Sequence, residues 1–126
     1  MEAGRASETA QRVALRRAAH QLLDQPPVFA DPVALRIIGA YAADALQASP
    51  RTFEVTPLAP YLRAFMAVRS RYAEEQLARA VAASARQYVV LGAGLDTFAY
   101  RNPWPDLRVF EVDHPATQAW KRARLA

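Results

Sequence analysis

The run Tyr88-Val89-Val90-Leu91, which passes directly into Gly92-Ala93-Gly94, constrains this chain more than any other feature. A short apolar run of this kind fits a buried parallel strand, and two glycines one residue apart let the backbone turn sharply and approach a ligand closely. A second candidate strand covers 107–112, with Val109, Phe110 and Val112 as its apolar members, and closes on Glu111-Val112-Asp113. An acidic residue at such a strand end can accept two hydrogen bonds from a ribose diol. The spacing from Gly94 to Asp113 is close to the ~20 residues usual in nucleotide-binding units.

Two details sharpen this reading. The third glycine of the dinucleotide fingerprint is absent, its place being held by Thr97, which argues against an NAD or FAD site. Glu111 and Asp113 point to the same side of an alternating strand, so periodicity does not separate them as ribose partners. Asp96, just after the glycines, is expected to fix the loop or cap the helical turn that follows, with cofactor contact as the second reading.

Upstream of the strand the pattern is helical. Residues 9–23 read as a first helix, with Ser7 or Thr9 as cap and Pro26-Pro27 beyond its end. Asp31-Pro32 looks like a cap followed by proline at the first helical position, opening a second helix over 32–48 with Gly39 as a weak point. Three prolines fall in a break over 49–60. Residues 61–85 read as one or two helical segments burying Leu62, Phe65, Met66, Val68, Tyr72, Leu77 and Val81. A helical turn is expected within 95–102 and a final helix over 116–125. The expected organisation is a helical cap region at 1–85, then a strand, loop, strand and helix unit at 86–126. The fold class is α/β. Two strands are few beside the roughly six of a doubly wound sheet. The expectation is therefore the N-terminal part of a Rossmann-like fold with an incomplete parallel sheet, open to self-association through its exposed edge.

Composition supports a folded domain: 52% of the 126 residues are hydrophobic and 22% charged. With no cysteine there is no disulfide scaffold, thiolate nucleophile or cysteine-based metal site, which suits a reducing cytoplasm. Residues 1–12 are broken up by Glu2, Arg5, Glu8 and Arg12, unlike a signal peptide, and no apolar stretch is long enough for a membrane span. The net charge of +4 comes from arginines spread along the chain among acidic residues. No basic run is interleaved with aromatics, so a nucleic-acid partner is not expected. Lys121, Arg122 and Arg124 form the densest basic patch. His20 and His114 are the only histidines, and both are read as structural or loop residues.

From Arg86 the segments RQYVVLGAGLDTFAYRNPW and RVFEVDHPATQAWK closely resemble the leucine carboxyl methyltransferase family, in particular its bacterial S-adenosylmethionine-dependent branch. Ser7-Glu8-Thr9-Ala10, Phe29-Ala30-Asp31-Pro32-Val33-Ala34 and Val68-Arg69-Ser70-Arg71-Tyr72 resemble upstream pieces of the same family. The resemblance implies a class I methyltransferase fold that binds S-adenosyl-L-methionine. By the matching motifs, Gly92 and Gly94 would line the methionine and ribose side of the cofactor. Asp113, with Glu111 as competitor, would hold the ribose hydroxyls. Arg69 would grip the cofactor carboxylate, with Arg71 near enough in sequence to exchange roles. Arg16 or Arg17 would match the basic residue of the family's first helix. Phe98 stands where the branch usually has arginine, and Asn102 where leucine is more usual.

Methyl transfer from a sulfonium is an in-line displacement that asks for positioning and exclusion of water, and for no metal. The implied activity is O-methylation of a carboxyl or hydroxyl acceptor on a small molecule or a protein terminus, with the 126 residues inactive alone. Three rivals are a remnant of a nucleotide-binding oxidoreductase, a helical interaction module built on 9–85, and non-specific nucleic-acid binding through net charge.

Overall fold

The computed structural model describes residues 6–126; the polar start, with Glu2 and Arg5, lies outside the described residues. Four helices precede the first strand: α1 (Glu8–Leu23), α2 (Ala34–Ile37), α3 (Ala40–Ala48) and α4 (Ala59–Ala82). Then come β1 (Gln87–Leu91), a short 3-10 helix (Phe98–Tyr100), β2 (Arg108–Val112) and α5 (Pro115–Leu125). β1 and β2 pair in parallel, from Gln87 opposite Arg108 to Leu91 opposite Val112. The architecture is a helical extension followed by one parallel strand pair, with a sheet that is not closed, as expected of the N-terminal part of a Rossmann-like fold.

The main core joins the helical region to the strand unit. Ala14 and Ala18 of α1, Ala34 and Ile37 of α2 and Leu46 of α3 pack in one cluster with Leu95 of the glycine loop and Leu125 of α5. The alanines let the helices approach closely. A second, smaller cluster of Leu77, Phe98 and Leu107 lies under the covered face of the sheet, where Tyr88 and Phe98 meet edge to face at 5.4 Å.

Three expectations need correction. The second helix is two helices, because Gly39 takes φ +86° between them, where an added Cβ would run into the Arg124 guanidinium. The 61–85 segment is a single helix, one of the two forms expected, but its bounds shift to Ala59–Ala82, with Pro60 in its first turn, where a missing N–H costs nothing. On α4, Phe65, Val68 and Tyr72 are exposed instead of buried. The helix turns Ala59, Arg63, Ala67 and Leu77 inward, so its small and ion-paired residues, not its largest apolar ones, face α1. Leu58, Tyr61, Phe65, Val68 and Tyr72 remain as an exposed stripe at alternating three- and four-residue spacing.

The sheet likewise buries one face only. Tyr88, Val90, Val109 and Glu111 turn toward the covering helices. Val89, Leu91, Phe110 and Val112 are exposed on the other face. The run Tyr88-Val89-Val90-Leu91 is thus covered on one face, and the other is open, as expected of a two-stranded piece of a larger sheet.

Candidate functional site

The glycine loop is held by the end of the neighbouring strand. The Val112 carbonyl accepts from the N–H groups of Gly92 (2.8 Å) and Ala93 (3.1 Å), and the Asp113 Oδ2 accepts from Gly94 N–H at 2.7 Å. Three successive amides are thus committed to β2. Gly92 and Gly94 have φ of +65° and +53°, a region that side chains other than glycine's rarely enter. Gly94 also packs on α1, where an added Cβ would lie 3.2 Å from the Ala10 Cβ.

Beside this loop an open cleft of about 710 Å³ lies between α1, α4 and the end of β1. It gathers Arg17, Arg69, Gly92, Gly94, Asp96 and Asp113. These six, each a candidate from the sequence, come from four separate stretches of chain.

Their states differ. Arg69 is exposed, and among the described residues no acid or carbonyl pairs with it; its guanidinium lies 5.9 Å from the Phe65 ring centroid. Arg71 is turned to Glu75 (2.8 Å) and does not line the cleft. Asp113 spends one lone pair of each oxygen, on Gly94 N–H and, at 2.6 Å, on His114 N–H. An ionised carboxylate has about four acceptor positions, so further hydrogen bonds remain open to it. Asp96 accepts from Phe98 N–H at 2.8 Å through Oδ1, which fixes the turn as the structural reading expected.

Arg17 is buried. It donates to the Leu95 carbonyl at 2.5 Å and lies 2.9 Å from Asp31 Oδ2, a charge contact not aligned as a hydrogen bond. Burial pushes its pKa below the ordinary arginine value, with the Asp31 charge working in the opposite direction. Arg16, the other candidate on α1, lines a different cleft. One residue on a helix turns the side chain by about 100°, which separates the two.

Glu111 is not in the cleft. Its carboxylate takes a 2.7 Å hydrogen bond from the Lys121 ammonium, which also donates to the Asp96 carbonyl at 2.8 Å. Lys121 is fully buried, so the basic patch expected at 121–124 is in part an internal ion pair. Its burial is legible in retrospect, since Thr117, Lys121 and Leu125 fall on one face of α5 at four-residue spacing.

A further group missed in the sequence stands behind the loop. Asp31 accepts from the Thr97 hydroxyl (2.7 Å) and from Val33 N–H (2.9 Å), and lies 3.3 Å from Arg101 Nε. Arg101 in turn grips Glu74 of α4 with two nitrogens, at 2.5 and 3.3 Å. Burial lowers the Arg101 pKa, but the Glu74 hydrogen bond and the nearby acids outweigh it and raise it overall. Both histidines are structural. His20 is buried, its Nδ1 2.7 Å from Asp24 and its Nε2 accepting from Phe29 N–H at 3.2 Å. His114 caps α5 by accepting from Ala116 N–H. Among the described residues there is no cluster of three or more metal-ligating side chains.

A parallel strand, a glycine loop, a second strand ending in an acid and a helical cap define the cofactor-binding side of the Rossmann-like class I methyltransferases. Residues 10–126 match the family described as Leucine carboxyl methyltransferase, and the chain belongs to that family. It is 41% identical over 106 residues to a Mycobacterium tuberculosis protein carrying the provisional description S-adenosyl-L-methionine-dependent methyltransferase, covering 79% of this chain and 35% of that one. A Mycobacteroides abscessus protein of the same description is 40% identical over 114 residues, covering 90% and 37%. One from Bacillus subtilis is 52% identical over 59 residues, covering 45% and 19%. The chain spans little more than a third of the length of the mycobacterial relatives.

Proposed function

We propose that the 710 Å³ cleft is an S-adenosyl-L-methionine site and that the chain is the cofactor-binding part of an O-methyltransferase with a carboxyl or hydroxyl acceptor. The observation that carries this is the convergence on one cleft of Arg69, which has no acid or carbonyl partner among the described residues, the Gly92–Gly94 turn and the Asp113 carboxylate. Arg69 holds the cofactor carboxylate, since a guanidinium takes a carboxylate through two parallel hydrogen bonds. Asp113 accepts from the ribose hydroxyls with its remaining lone pairs, and Gly92 and Gly94 keep the backbone clear. Arg17 and Asp96 stiffen the wall. Residues 1–85 act as a cap over the unit at 86–126. When bound, the cofactor supplies an electrophilic methyl group on a sulfonium.

The loop amides favour this reading over the oxidoreductase remnant. A pyrophosphate needs free N–H groups at the glycine turn. Here those of Gly92, Ala93 and Gly94 are already bonded to Val112 and Asp113. No residue of the chain is assigned to catalysis. Among the described residues no helix is long and apolar enough to cross a membrane. We place the protein in the cytoplasm, which suits a chain without cysteine.

The exposed stripe of α4 and the uncovered sheet face support a second reading, self-association of the chain.

The test compares S-adenosylhomocysteine with 5′-methylthioadenosine, which lacks the amino-acid moiety, on the chain and on Arg69→Ala. The chain should prefer S-adenosylhomocysteine by about 10- to 100-fold, the range of a charge-assisted hydrogen-bonded pair. Arg69→Ala should abolish the preference. Equal preference in both proteins would refute Arg69 as the carboxylate ligand.

A further inference from the structure

A second cleft, of about 510 Å³, lies on another side of α1, under the 49–58 segment that links α3 to α4. Its walls are largely apolar, with Leu15, Ala19, Phe53 and Val55 among them. Val55 is 85% exposed and Phe53 41%, so an apolar ligand would cover surface that is now in water.

Among the described residues the charges around it are paired, except Arg16. Arg12 is bound to Glu8 at 2.5 Å. Glu54 is held by Arg51 at 2.9 Å and by Arg63, so it does not repel an anion. Arg16 is half-buried, and among the described residues it has no hydrogen bond, ion pair or ring contact. A guanidinium beside apolar walls is best satisfied by a counter-anion that also covers those walls. A guanidinium without a partner among the described residues calls for one negative charge, and its planar fork matches a carboxylate. The volume is that of a site for a small organic molecule, with many apolar contacts and a single orienting polar group.

We propose that this cleft binds an amphipathic carboxylate, an alkyl or aryl acid, with Arg16 on the carboxylate and Leu15, Phe53 and Val55 on the apolar body. The site is separate from the cofactor cleft, which Arg17 lines from the adjacent side of α1. It stands on geometry that does not involve Arg69 or Asp113.

The experiment is calorimetric titration of the 126-residue chain with octanoate, 1-octanol and octyltrimethylammonium, each below its aggregation concentration. Octanoate should bind saturably at one site, about 10-fold or more tighter than octanol, and the cation should not bind. Arg16→Ala should erase the preference for octanoate, Arg16→Lys should keep part of it, and Phe53→Asp should weaken both octanoate and octanol, with unchanged circular dichroism in each variant. Saturating S-adenosylhomocysteine should leave octanoate affinity unchanged. The proposal is overturned if octanoate binds no tighter than octanol, if Arg16→Ala retains the preference, or if S-adenosylhomocysteine displaces octanoate.

Discussion

The Thr97 hydroxyl donates a 2.7 Å hydrogen bond to the Asp31 carboxylate, which is fully buried between Arg17 and Arg101. This bond ties the turn after the glycine loop to the segment before α2, and Arg101 extends it to Glu74 on α4. It also gives a reason for threonine where the dinucleotide fingerprint has a third glycine. The position is used for a buried hydroxyl, not for close helix packing on a phosphate-binding turn.

Removing Asp31 should therefore be severe. Asp31→Ala leaves the buried Arg17 guanidinium without its ion-pair partner and Arg101 with Glu74 alone, and loss of one partner of a buried ion pair costs about 3–5 kcal/mol. Asp31→Asn keeps the shape and loses the charge, so an intermediate cost is expected. Urea unfolding followed by circular dichroism measures both. A loss under about 1 kcal/mol for Asp31→Ala, the value typical of exposed pairs, would show that the network holds nothing together.

Lys121 and Glu111 form the second internal pair. Lys121→Met alone should destabilise by about 3 kcal/mol, because the Glu111 carboxylate is left nearly buried and unpaired. Adding Glu111→Leu should recover most of that loss. A double-mutant cycle with no coupling would place Glu111 back among the candidates for the ribose.

These two pairs show what the sequence made legible and what it did not. The strand, glycine loop, strand and acid order is local, and it could be read from Tyr88 through Asp113 without knowing the fold. Alternation puts Glu111 and Asp113 on one side, and their different surroundings come from tertiary contacts that periodicity does not carry, Lys121 of α5 on Glu111 and the Gly94 N–H on Asp113. Likewise, Arg16 and Arg17 were equivalent on paper and fall in different clefts. The misjudged face of α4 has a similar cause. The helix carries apolar residues around much of its circumference, so periodicity alone had no unique inward side. Its packing face was decided by Ala59 and Ala67, and by the reach of Arg63 to Asp24 at 2.9 Å.

That Arg63–Asp24 contact also sets an acid limit. The hydrogen bond from Arg63, reinforced by the one with His20, holds the Asp24 pKa below the ordinary carboxylate value, with burial opposing. A depressed folded-state pKa means that the stabilisation is complete above the unfolded value of about 3.9 and is lost as pH falls through the lower folded-state value. Asp24→Asn should flatten the fall of stability with pH below about 4 and lower stability at neutral pH. Unfolding midpoints from pH 2 to 7 for both proteins measure this. Parallel curves would remove Asp24 from the account.

The uncovered sheet face offers Val89, Leu91, Phe110 and Val112 to solvent. Sedimentation velocity should show concentration-dependent association of the chain, and Val89→Lys with Phe110→Lys should shift it toward monomer. A chain that stays monomeric at high concentration would show that this face needs no partner. If association persists unchanged in the double variant, the exposed stripe on α4 is the surface responsible.

The central claim, that Asp113 and its neighbours form a cofactor site, is tested most directly by calorimetric titration of the chain with S-adenosylhomocysteine beside Asp113→Ala. The account predicts one saturable site, weakened about 10-fold or more in the variant, with circular dichroism showing that both proteins are folded. Equal affinity in the two proteins, or no binding by a folded chain, would contradict it.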